Sequence, residues 1–135
     1  MGGFLLICSS GMAESSSSRI FAPGLLEGKI CAISGAGTGL GRASAVELAR
    51  LGATVVGCGR RSGPLEEMVS EVGGNGGKAE FEAVDIRDAD AVDGFIDGIL
   101  ERHGRLDLLV NNAGGQFLSP AEAITPKGFR TVIEP

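Results

Sequence analysis

Ser34-Gly35-Ala36-Gly37-Thr38-Gly39-Leu40-Gly41 decides how this chain is read. The short apolar run Lys29 to Ser34 precedes it and reads as a strand. The Ala-rich run Leu40 to Leu51 follows and reads as a helix, with Gly52 suited to the left-handed position just past its end. Glycines between a strand and a helix let the backbone approach a ligand closely. The helix start behind them offers free N–H groups and a partial positive charge, worth roughly 0.3–2 kcal/mol to an anion such as a pyrophosphate. A nucleoside-triphosphate loop ends in Gly-Lys-Ser/Thr, but here Gly41 is followed by Arg42-Ala43, so that class is excluded. A tight turn that packs helix on strand without a ligand stays open at this point.

Outward from the turn the pattern repeats. Thr54 to Cys58 reads as a second strand, and Pro64 suits the first position of a second helix. Leu65, Met68, Val69 and Val72 then fall on one helical face. Gly73-Gly74-Asn75-Gly76-Gly77 is a flexible turn without a strand leading into it. Lys78 to Val84 is a third strand. Asp88 can cap a third helix that shares Val92, Phe95, Ile96, Ile99, Leu100 and His103 on one face, ended by Gly104. Leu106 to Val110 is a fourth strand, and Thr125-Pro126 opens another helix. This β-α-β-α-β-α-β-α alternation implies an α/β fold, a parallel sheet with helices on both faces. The near-continuous apolar strands fit burial on both sides.

Composition narrows the function. The 135 residues carry 12 Lys+Arg and 17 Asp+Glu, a formal net charge of −5. An acidic chain lacks the basic surface that nucleic acid requires. Glycine contributes 23 residues without a collagen period, and 43% hydrophobic content is globular, not disordered. No stretch approaches a membrane span of roughly 18 apolar residues. Cys8, Cys31 and Cys58 have no C-x-x-C spacing, so no metal site is assigned and reduced, buried thiols are expected. Residues 1–18, ending in four serines, read as a disordered leader, with Met12 as an alternative start. The apolar run Phe4 to Cys8 is too short, and lacks the basic start, for a secretory signal.

Three positions near strand ends bear on ligand choice. Folds that select NAD place an acid at the end of the second strand for the ribose 2′-OH. Here no acid lies between Glu47 and Glu66, and Gly59-Arg60-Arg61 stands in its place. Guanidinium groups favour a 2′-phosphate by roughly 1.5–3 kcal/mol per charge-assisted hydrogen bond, which points to NADP. A solvated loop is the alternative. Asp85-Ile86 ends the third strand, where Asp85 either accepts from an adenine amino group or caps the next helix. Asn111-Asn112-Ala113-Gly114 follows the fourth strand and belongs on the same edge.

In combination these motifs resemble the short-chain dehydrogenase/reductase family. Its Thr-Gly-x-x-x-Gly-x-Gly pattern is met by Gly35, Gly39 and Gly41, with Ser34 in place of Thr, and its Asn-Asn-Ala-Gly by Asn111 to Gly114. The resemblance spans about residues 25–134. It implies a Rossmann doubly wound sheet of strand order 3-2-1-4, here ending after the fourth strand and the start of the next helix. It implies a cofactor, NADP, held by Gly35, Ala36, Gly37, Thr38, Gly39, Leu40, Gly41, Arg60, Arg61, Asp85, Ile86, Asn112, Ala113 and Gly114. Residues 19–135 would then be the NADP-binding half of a reductase domain. Ala22 to Gly28 and Asn112 to Glu122 are also similar to the peroxisomal trans-2-enoyl-CoA reductase branch, with 2,4-dienoyl-CoA reductases sharing much of the pattern. That likeness implies an acyl-CoA substrate, reduction of its 2,3 double bond, and a homo-oligomer when full length. Gln116 and Phe117 would lie over the active site or simply pack the loop.

Family catalysis uses a Ser, and a Tyr with a Lys four residues on. The chain has no tyrosine, and Lys29, Lys78 and Lys127 form no such pair. Val132-Ile133-Glu134 resembles the start of a Val-x-Glu-Thr stretch, but Pro135 stands where Thr belongs. No catalytic residue is therefore assigned, and turnover by this chain alone is not expected. A non-catalytic NADP-binding module is the rival reading, and an adaptor that pairs through a strand edge is a third. A cytoplasmic location is expected, or a peroxisomal or mitochondrial one in a eukaryote. Leu106, Leu108, Leu109 and Val110 are expected to form an exposed apolar edge.

Overall fold

The computed structural model describes residues 20–115 and 119–133. The leader, Cys8, Gln116, Phe117 and Glu134 lie outside the described residues. Four parallel strands form one sheet in the order β3-β2-β1-β4: β1 Ile30–Ser34, β2 Thr54–Gly59, β3 Lys78–Ala83 and β4 Leu108–Val110. The helices are α1 Gly39–Arg50, α2 Ser62–Gly74, α3 Ala89–His103 and α4 Pro126–Ile133. The expected order 3-2-1-4 is the order found. Ile33 stands beside Gly57 on one side and Val110 on the other, which sets β1 at the centre.

Alternation along the strands divides the core. Ile33 and Val55 face α1 and α2, meeting Ala45, Val46, Ala49, Leu65, Met68 and Val72. Ile30, Ala32, Val56 and Cys58 face the other way, meeting Phe95 and Ile99 of α3. β1 is buried at all five positions, as a central strand covered on both faces should be. Cys31 and Cys58 are free thiols in this interior. A Cβ on Gly57 would stand 2.7 Å from the Ala36 Cβ, so the bare backbone there lets the glycine turn and α2 close onto the sheet.

The helix ends follow local chemistry. Asp88 caps α3, accepting from the N–H groups of Asp90 at 3.1 Å and Ala91 at 3.2 Å. Gly104 ends it with φ of 71°. The Thr125 hydroxyl accepts from Gly128 N–H at the start of α4. Arg42 of α1 reaches Glu67 and Glu71 of α2, each at 2.8 Å, and ties the two helices together.

Four details depart from the sequence reading. α2 starts at Ser62, two residues before Pro64; its first turn has N–H groups without helical partners, so a proline fits there as well. α2 also runs through Gly73 and Gly74, because Asn75 N–H still bonds back to Glu71 O at 3.2 Å. Leu100 is 43% exposed, since it sits one residue round from Ile99 at the margin of the buried stripe. Leu106 precedes β4 and packs against the α3 side of the core, and Val110 is half-buried. The exposed apolar edge therefore reduces to Leu108 and Leu109.

Asp107 fastens β4 to β1. Its carboxylate accepts from Ile30 N–H at 3.0 Å and pairs with Arg105 and with Lys29, the latter at 3.3 Å. Arg105 first, then the Ile30 N–H, hold its pKa down from 3.8 to about 2. A depressed carboxylate pKa contributes stability above the ordinary carboxylate range and loses it as pH falls through the folded value. Asp107→Asn should therefore lower the urea midpoint at neutral pH. Its deficit against the parent should close between about pH 4 and pH 2. A deficit that persists at pH 2 would mean the charge is not what matters.

Candidate functional site

The carboxyl ends of the four strands share one edge, where ligands of open parallel sheets bind. A cavity of about 380 Å³ runs along it. The β3 end supplies Val84, Asp85, Ile86 and Arg87, and the β2 end Gly59, Arg60 and Arg61. The turn after β1 supplies Gly35, Gly37 and Thr38, and the β4 end Asn112, Ala113, Gly114 and Gly115. Pro64 and Leu65 of α2 complete the wall. Three strand spacings of about 4.8 Å make this edge about 14 Å long, which suits an extended ligand.

The centre is a tightly fitted turn. Gly35 N–H donates to Cys58 O at 2.7 Å, which draws the turn across β2. Gly41, in the first turn of α1, lies against it so closely that a Cβ there would fall 2.2 Å from Gly35 O. Thr38 makes no side-chain cap and no acid occupies the first turn of α1. The positive end of that helix is thus left without a carboxylate of its own.

The β1 and β4 ends are locked together. Ser34 Oγ accepts from Asn112 N–H and Ala113 N–H, both at 3.0 Å. Asn112 Nδ2 donates back to Ser34 O at 2.9 Å. Serine in place of the family's threonine keeps the one atom this lock needs, the hydroxyl oxygen.

Among the described residues neither Arg60 nor Arg61 has an acidic partner within 4.0 Å. Asp85 is paired instead with Arg87, whose Nε lies 2.9 Å from Oδ1. That hydrogen bond, helped by Arg87 N–H and the charge of Arg60, lowers the Asp85 pKa from 3.8 to about 2. Asp85 is not the cap of α3, a place taken by Asp88 because its carboxylate reaches the free N–H groups of the first turn.

Of the sequence-assigned positions, Gly35, Gly37, Thr38, Arg60, Arg61, Asp85, Ile86, Asn112, Ala113 and Gly114 line the cavity. Ala36 is fully buried in the core behind the turn, and Gly41 is buried beneath Gly35. Gly39 is exposed, with open space where a Cβ would stand. Leu40 is 81% exposed and lines a separate apolar groove with Phe21, Leu25 and Leu108. Sequence reasoning missed Pro64, Leu65, Val84, Arg87 and Gly115. Arg87 had a signal, an acid two residues before it at a strand end, the spacing of a side-chain-closed turn.

Asn112→Ala removes the donor to Ser34 O and opens the lock. The expected cost is roughly 1–3 kcal/mol, read as a lower urea midpoint at unchanged slope. An unchanged midpoint would show that the Ser34 hydroxyl suffices.

Residues 29–134 match the family model for short chain dehydrogenase. A probable 2,4-dienoyl-CoA reductase of Bacillus subtilis is 38% identical over 109 residues, covering 81% of this chain and 43% of that protein. Among solved structures, a citronellol catabolism dehydrogenase of Pseudomonas aeruginosa superposes with a TM-score of 0.77 at 44% identity, covering 84% of this chain and 46% of that one. A metagenomic short-chain oxidoreductase in complex with NADP gives 0.71 at 39% identity, covering 80% and 49%. An NAD+-bound xylitol dehydrogenase gives 0.74 at 30%, covering 80% and 42%. The chain thus spans less than half the length of each of these proteins. On the match across residues 29–134 and on the fold, this chain belongs to the short-chain dehydrogenase family.

Proposed function

We propose that this chain is the NADP(H)-holding part of a short-chain oxidoreductase that reduces the double bond of a trans-2-enoyl-CoA. The observation that carries the cofactor choice is the Arg60–Arg61 pair at the β2 end, with no carboxylate within 4.0 Å among the described residues and no acid at the position that favours a free ribose hydroxyl. The residues fit the whole group in order along the edge. Asp85 and Ile86 would flank the adenine, and Arg60 and Arg61 the 2′-phosphate. Gly35, Gly37 and Thr38, with the start of α1, would receive the pyrophosphate. Asn112, Ala113 and Gly114 would leave room for the nicotinamide. When bound, the reduced ring supplies a hydride. This chain's own residues bind it, orient it along the edge, and hold the β1 and β4 ends at fixed separation through Ser34 and Asn112.

The acyl-CoA reading is supported by the stretch Asn112 to Glu122 and by the 2,4-dienoyl-CoA reductase named among the relatives. NADPH consumption by the full-length protein should be faster with a trans-2-enoyl-CoA than with a 2,4-dienoyl-CoA, and the reverse order would reassign the substrate. For the cofactor, titration of the chain with NADPH and NADH should show NADPH bound more tightly. Arg60→Ala/Arg61→Ala should weaken NADPH by roughly tenfold to a hundredfold and leave NADH little changed. Equal affinities in the parent would reject NADP selection.

A further inference from the structure

The cavity contains a contradiction. A site that accepts a phosphate dianion through Arg60 and Arg61 also has the Asp85 carboxylate in its wall. Asp85 and Arg60 line the same cavity, where the positive charge of Arg60 acts on the carboxylate. An unshielded carboxylate there would repel the phosphate and compete with it for Arg60.

Arg87 resolves the conflict by geometry. Its Nε lies 2.9 and 3.2 Å from the two Asp85 oxygens, and its Nη2 meets the same carboxylate. The Arg87 backbone N–H donates to Asp85 Oδ1 at 3.1 Å, so the turn itself presents the carboxylate to the guanidinium two residues on. The pairing is bidentate, local in sequence, and set on the far side of Asp85 in chain order from the β2 arginines. The side chains are 60% and 35% exposed, so the pair adds little to fold stability. Its effect belongs to ligand choice.

We propose that Arg87 shields the Asp85 carboxylate so that Arg60 and Arg61 remain available to a phosphomonoester on the ligand's ribose. Arg87 is then a specificity-determining, positioning residue that acts through Asp85 and need not touch the phosphate. The inference rests on the NADP reading above and deepens it. Without Arg87, Arg60 of the same cavity wall would be left to act on the Asp85 carboxylate, and the phosphate site would be quenched from within.

Four forms of the chain, the parent, Arg87→Ala, Asp85→Asn and the double variant, are titrated with NADPH and NADH at one fixed ionic strength. The quantity read is the ratio of the two affinities, which a general loss of structure does not move selectively. Arg87→Ala should lower NADPH affinity by about tenfold and NADH affinity by no more than about twofold. Asp85→Asn keeps the oxygen that closes the turn, and it should retain or raise the NADPH preference. The double variant should recover the parental ratio, because no carboxylate is left to shield. A double variant as poor as Arg87→Ala would overturn the shield and make Arg87 a direct phosphate contact. An unchanged ratio in Arg87→Ala, or a loss of preference in Asp85→Asn, would overturn it too. A parent that prefers NADPH while these variants fail would leave the cofactor reading standing and remove the shield alone. A parent without that preference would remove both.

Discussion

The first turn of α1 lies directly on the carbonyl of Gly35. A single methyl group at Gly41 would be driven to 2.2 Å from that oxygen and 2.5 Å from Asn112 Nδ2. No rotation relieves such a clash, because both neighbours are themselves fixed. Gly35 is bonded to Cys58 O, and Asn112 to Ser34 O. The contact therefore joins three strand ends at one point. It sets how far α1 stands from the sheet, and hence where the free N–H groups of its first turn point. A bulkier residue would push the helix out and dissolve the edge as a binding surface.

Much of this was legible from residue order. The glycine run between an apolar strand and an Ala-rich helix specifies a β-turn-α unit, and three repetitions with short connections leave a parallel sheet as the outcome. The arginines at the end of β2 were visible because an expected acid was absent. Long-range fits were not visible. The sequence cannot show that Gly57 is bare because Ala36 and Met68 press on it, since the three are far apart in the chain. Nor could it show Leu40 turned into a groove with Phe21 and Leu108, because Leu40 belongs to the same helix turn as the ligand-facing backbone. Asp85 does not cap α3, and its pairing with Arg87 was not visible in the sequence. Ion pairs between near neighbours depend on backbone direction, which residue type leaves undetermined.

Charge is distributed unevenly around the site for a molecule of net −5. Several acids outside the cavity are matched: Glu67 and Glu71 by Arg42, Glu80 by Arg102 and His103, Asp107 by Arg105 and Lys29. Arg60 and Arg61 at the β2 end have no carboxylate within 4.0 Å among the described residues. A surplus of positive charge held in one place on an acidic body makes a local field that favours anions.

The two margins of the sheet are built differently. β3 carries Lys78, Glu80 and Glu82 along its outer length, and charges on an edge strand discourage a further strand from docking. β4 carries Leu108 and Leu109, both part-exposed, beside a wholly buried β1. The sheet thus has a finished margin and a receptive one. Exposed apolar strand surface is therefore concentrated at the β4 margin of the sheet.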